Sequence, residues 1–504
     1  MTIRRSPRRS PRRGAGRPWA ETPWTHSAVF AVAALAVIAT MLAHHGDGGG
    51  GSPAGASSGQ AVVASGGGNV PTAVDLVPTA VSTETTTATP IPPTPRPTAS
   101  AEPTPPPLSE GDQIRGVVLD TGGDPIAGAV VRVRTKIVET DAEGRFTLTY
   151  RSGADRMTVS ASGYADRSVT ITKRPSVALE RFVVKGVYLN GTAAGDKDIV
   201  DAMIDLIDTT ELNAIVVDFK DGVVFYDSQV DFFRDAGAVR PTYDAEKLID
   251  KLHDHDIYVI GRQVVFKDPL VAEAHPDMAI QDEETGGLWR GWAGEAWVNP
   301  LATGLYQPNV DLAAEAARLG FDEIQYDYIR FPDGDLSGAD LGKRYDSMDN
   351  RIGALTTILS MTREALRPLG AKLSADLFGW MLLVDDDQGI GQRLPDLVAV
   401  VDYASPMVYP SHFPTGSVAV DGAPNDFPFE TVEISLSLGM ERIPGAELKI
   451  RPWLQDFSLP EMTEYTASDV RAQIQAAESV GSSGWLMWNV NASYEDGAYD
   501  PSDD

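Results

Sequence analysis

Two rhythms of apolar residues divide most of the chain. Between residues 112 and 178, apolar and polar residues alternate in short runs: Ile114–Leu119, Ala129–Val133, Arg145–Tyr150, Met157–Ala161 and Ser168–Ile171. A period of two marks strands with one buried face. Asp120–Gly128 and Asp141–Gly144 supply the turn residues between them. This segment predicts a small all-β sandwich that folds alone. From about residue 181 the rhythm changes. Eight β-rich runs follow: Gly186–Asn190, Ala214–Phe219, Tyr258–Phe266, Glu323–Phe331, Leu373–Phe378, Tyr403–Tyr409, Ile450–Leu454 and Trp485–Val490. Between them apolar residues recur at helical spacing, as in Ile199–Ile207, Ala245–Leu252, Ile352–Leu366 and Ala467–Val480. The fold class is therefore α/β: eight β/α repeats predict a (β/α)8 TIM barrel over residues 181–495, preceded by the sandwich.

The fourth run breaks its own pattern. Gly320 to Pro332 reads Gly-Phe-Asp-Glu-Ile-Gln-Tyr-Asp-Tyr-Ile-Arg-Phe-Pro, with Asp327 and Arg330 set among β-formers. A carboxylate in a buried strand costs several kcal/mol unless paired. At the C-terminal end of a barrel strand such a residue belongs to a site; the plainer reading is an Asp327–Arg330 ion pair tying the strand to its loop. Polar residues also end the other strands: Asp218 and Lys220, Arg262, Asp376, Tyr409, Gln455 and Asp456, and Trp488 and Asn489. Asp327 and Asp376 lie on successive strands, roughly 5 Å apart in a barrel, the spacing of a retaining glycosidase pair. One would attack the anomeric carbon, and the other would protonate the leaving oxygen. Arg262 or Arg330 could hold the first ionised. Trp289, Trp292 and Trp297 cluster in the long third loop, Trp380, Trp453 and Trp488 follow or end barrel strands, and flat aromatic faces suit pyranose rings. Asp218, Lys220, Arg262, Arg330, Trp297, Tyr409, Gln455, Asp456, Trp488 and Asn489 are the expected substrate contacts.

Composition narrows the function. The formal charge is -29, and seven arginines crowd residues 4–17. The acidic remainder repels nucleic acid and anionic lipid. The chain has no Cys, which removes disulfides, Cys–Zn sites and thiol catalysis. Asp333-Gly-Asp335 begins like a calcium loop, but Arg344 stands where the closing Glu belongs. No cofactor or metal is expected, and the chain is expected to act as a monomer. Residues 1–44 combine the basic start, predicted disordered, with the charge-free run Ala28–Ala43, 16 residues long. This predicts an uncleaved signal anchor with the later domains outside the cytoplasm. The alternative is a cleaved signal peptide and a secreted protein, although Met41-Leu42-Ala43-His44 makes a poor cleavage site. Residues 45–111 are Gly/Ser-rich, then dense in Thr and Pro, and predict an extended stalk.

Two resemblances add to this reading. Gly116-Val-Val-Leu-Asp, Pro125-Ile-Ala-Gly-Ala, Thr140-Asp-Ala-Glu-Gly-Arg-Phe and Val159-Ser-Ala-Ser-Gly-Tyr resemble the carboxypeptidase regulatory-like family. That resemblance implies a spacer or adhesive sandwich at 112–178. Trp297-Val-Asn-Pro, the Gly320–Pro332 stretch, Leu373-Ser-Ala-Asp-Leu-Phe-Gly, Ser405-Pro-Met-Val-Tyr-Pro and Arg451-Pro-Trp-Leu-Gln-Asp-Phe resemble the glycosyl hydrolase domain family of bacterial surface proteins. It is similar to α-amylase-type barrels. The resemblance implies a TIM barrel, glycoside hydrolysis and a poly- or oligosaccharide substrate. It places the nucleophile at Asp327. The acid would be Asp376, where amylases carry Glu, and Gln455-Asp456 leaves the seventh-strand acid open. These departures speak against starch. The competing reading is a barrel that binds glycan without cutting it, for cell-wall attachment or adhesion.

Overall fold

The computed structural model describes residues 108–502, apart from 496. The basic start, the Ala28–Ala43 run and the stalk up to residue 107 lie outside the described residues. Among those described, no helix is long and apolar enough to cross a membrane.

The sandwich has two sheets. In one, Gln113–Asp120 lies between Arg145–Thr149, antiparallel, and Ser176–Leu179, parallel. In the other the order is Lys136–Glu139, Val130–Val133, Arg156–Ser160, Arg167–Thr170. The alternation read in the sequence faces inward: Ile114, Val118, Val131, Phe146, Leu148, Met157, Val159 and Val177 are all buried. Gly116 is required because a Cβ there would lie 2.5 Å from the Phe146 ring. Lys136–Glu139 and Ser176–Leu179 are strands that the pattern did not mark, each only 4 residues long.

The barrel strands are β1 (Val184–Leu189), β2 (Ala214–Asp221), β3 (Tyr258–Val264), β4 (Glu323–Asp327), β5 (Lys372–Phe378), β6 (Tyr403–Met407), β7 (Trp453–Gln455) and β8 (Gly484–Trp488). Each is parallel to its neighbour, and β8 and β2 both pair with β1, which closes the ring. Helices follow the strands: α1 (Lys197–Asp208), α2 (Ala245–His253), α3 (Tyr306–Leu319), α4 (Met348–Leu366), α5 (Leu394–Val400), α6 (Pro428–Glu441) and α7 (Ala467–Ser479). Their starts follow local chemistry. Asp196 accepts from the N–H groups of Asp198 and Ile199 at α1, and Thr466 and Asp469 form a capping box at α7. Gly320, at φ 118°, ends α3 in the left-handed conformation that favours glycine.

The sandwich sits against the N-terminal end of the barrel. The Gly163 N–H donates to the Tyr403 hydroxyl at 2.9 Å. Lys372, at the start of β5, pairs with Asp166 at 2.9 Å, and Arg367 pairs with Glu139. Phe182 meets Tyr258 edge-on at 5.6 Å. Just inside this end, the fully buried Arg451 and Glu323 form an ion pair across the barrel. The sandwich thus docks on the barrel's floor through these contacts.

Candidate active site

The site begins where β4 stops. Propensity extends this strand to Phe331, but it ends at Asp327 because Tyr328 takes a positive φ of 48°. Such strain in a non-glycine residue concentrates at functional sites. The turn lets the Tyr328 N–H donate to Asp327 Oδ1 at 2.5 Å. Asp327 Oδ2 accepts from Arg262 Nε at 3.1 Å and Nη2 at 2.5 Å. The same guanidinium reaches Asp218 Oδ1 through Nη1 at 2.7 Å. The Tyr188 hydroxyl donates to the other Asp218 oxygen at 2.5 Å. One buried arginine therefore holds two carboxylates. Burial pushes Asp218 up to about 6 against the pull of Arg262.

Asp376 stands beside this network. β4 and β5 pair through Tyr326 and Ala375, and one residue further on each strand are Asp327 and Asp376. The Asp376 carboxyl accepts one hydrogen bond, from Trp453 Nε1 at 2.8 Å. Burial, and then the Asp327 charge, push it well above the usual carboxylate range. Two carboxyl groups at adjacent strand ends therefore differ in state: one is ion-paired, the other favours its proton. Three aromatics wall the space. Tyr188 stacks on Trp488 with centroids 4.1 Å apart, and Trp453 meets Trp488 edge-on at 5.5 Å. The Arg262 guanidinium lies over Trp488 at 5.2 Å. Tyr409 is buried nearby, and burial and the charges of Asp376 and Asp327 keep its phenol protonated.

Residues 186–494, more than half of the chain, match the family described as "Putative glycosyl hydrolase domain". The chain belongs to that family. Residues 113–184 match the carboxypeptidase regulatory-like domain. Among solved structures, a hypothetical protein from Ruminiclostridium thermocellum is 36% identical; the match covers 38% of this chain and 96% of that one, with a TM-score of 0.33. The PgaB (BpsB) glycoside hydrolase domain from Bordetella bronchiseptica is 13% identical, covering 62% and 95%, with a TM-score of 0.47. A chitinase from Chromobacterium violaceum is 16% identical, covering 63% and 96%, with a TM-score of 0.38. No curated protein matches the chain.

Within this glycosyl hydrolase domain, the residues expected from sequence separate into two groups. Asp218, Arg262, Asp327, Asp376, Tyr409 and Trp488 converge. The others hold the frame. Lys220 is fully buried and turned away, bonded to Asp268 at 2.7 Å and to the Val264 carbonyl at 2.6 Å. Gln455 Oε1 accepts from the Ser411 N–H and hydroxyl, and its Nε2 donates to the Phe457 carbonyl. Asp456 accepts from the Tyr499 hydroxyl and the Glu495 N–H, and burial pushes it up to about 6. Asn489 donates to the Asp456 carbonyl at 2.5 Å. These three fasten loops and the C-terminal tail. Arg330 does not pair with Asp327. It donates to Asp333 Oδ1 at 2.6 Å, and its guanidinium lies over the rings of Trp297, Tyr328 and Phe378. Trp297 is only 2% exposed and backs Tyr328 edge-on.

Two members of the site, Tyr188 and Lys267, were not foreseen, and Trp453 was foreseen only as an aromatic at a strand end. Tyr188 hides in an apolar run; its signal is the parity Val184, Gly186, Tyr188, which points it into the barrel. Trp453 carries the donor that orients Asp376. Lys267 lies over the Tyr328 ring at 4.8 Å, and burial brings its amine down to about 8.

Proposed function

We propose that this glycosyl hydrolase domain cleaves a polysaccharide by a double displacement, with Asp327 as nucleophile and Asp376 as acid and base. The reading rests on one observation: the two carboxyls stand in matched register on adjacent parallel strands, one held by Arg262 and the other raised by burial. Strands roughly 5 Å apart fit the separation of about 5–5.5 Å used by retaining enzymes. Asp327 attacks the anomeric carbon as the glycosidic bond breaks, and the Asp376 proton goes to the leaving oxygen. This leaves a glycosyl ester on Asp327. Water then attacks that carbon and gives its proton to Asp376, which frees the Asp327 carboxylate. Arg262 keeps the nucleophile oriented, and the half-buried Trp488, backed by the buried Tyr188 and Trp453, offers aromatic surface to the sugar.

A glycan panel read for reducing ends identifies the substrate. On it, Asp327→Asn should lower turnover on the order of 10³-fold or more while binding survives. The first product, followed by NMR, should keep the anomeric configuration of the substrate. Inverted product, or a folded Asp327→Asn protein with full turnover, would overturn the assignment. The charge-free run Ala28–Ala43 behind seven arginines supports an anchored, outward-facing protein. Protease added to intact cells should then release a fragment that starts in the Thr/Pro-rich stalk; protection of the whole chain would reject the anchoring.

A further inference from the structure

The loop after β3 builds a second feature of the mouth. Its residues 289–297 fold back as a small hairpin: Arg290 bridges Ala296, and the Gly291 N–H donates to the Glu295 carbonyl at 2.9 Å. The tip closes with the Gly294 N–H donating to the Gly291 carbonyl at 2.9 Å. Arg290 braces it, reaching the Gly294 carbonyl at 3.0 Å and Glu273 at 3.2 Å. The loop after β4 supports it from the side. Gln281–Asp282 pairs with Ala339–Asp340, and Trp289 Nε1 donates to the Ser337 carbonyl at 3.3 Å. The two loops thus form one wall, whose inner end is Trp297 against Tyr328 and Arg330.

The three tryptophans of this wall have different surroundings. Trp289 and Trp297 are 5% and 2% exposed, but Trp292, at the tip, is 58% exposed. Its chain neighbours Gly291, Ala293 and Gly294 are small. The hairpin tip depends on Gly294, whose φ of +80° favours glycine. A membrane or protein partner would call for a contiguous apolar patch. A single flat ring among small residues instead fits the C–H face of one sugar.

We propose that Trp292 is a remote stacking platform for a polysaccharide chain that crosses the mouth, so that the enzyme acts on polymers spanning both positions. This rests on the glycosidase reading of Asp327 and Asp376. The hairpin puts Trp292 at its tip and Trp297 at its base, where Trp297 meets Tyr328, the residue after Asp327. The platform therefore meets a sugar well removed from the cleaved bond.

The test uses the full chain carrying Asp327→Asn, with and without Trp292→Ala. Affinity is measured for soluble starch, glycol chitin, glycol chitosan and xylan. Trp292→Ala should weaken binding of the preferred polymer by about three- to tenfold, the size of one lost ring contact, and Trp292→Tyr should restore most of it. In the chain with Asp327 intact, Trp292→Ala should lower kcat/KM on polymer relative to a small aryl glycoside by the same factor, through KM. Equal binding by the Trp292→Ala protein, or no binding of any of the four by the parent, overturns the platform. Weakened binding without any hydrolysis upholds the platform and defeats the catalytic reading instead.

Discussion

Arg262 should carry both the stability and the activity of the barrel mouth, and Arg262→Met isolates its contribution. The side chain is 3% exposed and holds Asp218 at 2.7 Å and Asp327 at 2.5 Å. Asp218 already sits at about 6, above its ordinary 3.8, with the guanidinium in place. At 1.36 kcal/mol per unit, burial therefore weighs about 3 kcal/mol against the charged form, even net of the arginine. Methionine keeps the volume and removes the charge, leaving two buried carboxylates facing each other. Breaking a buried pair in this way costs about 3–5 kcal/mol. The cost should depend on pH. Without Arg262 the folded-state value of Asp218 rises further above its unfolded value. A group raised in this way favours the fold at low pH, and that contribution is lost as pH rises through the folded value. The Asp218 part of the deficit should thus be small near about pH 4 and grow as pH rises from about 6 toward the variant's still higher folded value. Urea unfolding of wild type and variant at several pH values measures it. A deficit that is flat from acid to neutral pH would refute the argument. Turnover should fall by at least about 10²-fold, because Asp327, the proposed nucleophile, loses the donor pair that orients it.

Other substitutions probe the rest of the design. Asp376→Asn should impair hydrolysis of a polysaccharide far more than that of an aryl glycoside with a good leaving group, as kcat/KM on the two substrates will show. In the wild type, activity should fall as pH rises through the elevated value of Asp376, since the acid must keep its proton. Glu323→Gln should destabilise the barrel by about 3–5 kcal/mol in urea by leaving Arg451 without a counter-charge, with little change in KM. Removing residues 112–178 should lower the melting temperature of the barrel, because Tyr403 and Lys372 then lose their partners; an unchanged melting curve would show the sandwich to be a passenger.

The eight strands were legible because interior strands need unbroken β-branched and aromatic runs, and these stood out between helical stretches. Asp327 and Asp376 were legible because a carboxylate in such a run is costly. The direction of a side chain was harder to read. A period of two from Asp218 sends Lys220 into the barrel, but the pairing of β2 and β3 shifts register between Arg262 and Gln263, and Phe219 is skipped. Lys220 then shares the outward side with Gln263. Tyr328 is a good β-former, so nothing in its type announced the positive φ that ends β4. That turn swings Arg330 away from Asp327 and toward Asp333. Gln455 and Asp456 end their strand as Asp376 does, and only the three-dimensional positions of Ser411 and Tyr499 reveal them as fasteners.

The floor of the barrel also limits how a long substrate can move. Glu323 and Arg451 are locked inside the lower end and the sandwich docks beneath it, so the barrel is filled below the carboxylates. A polymer cannot thread through and emerge behind. Under the proposed function it would drape over the rim, be cut near Asp327, and leave on the side from which it came.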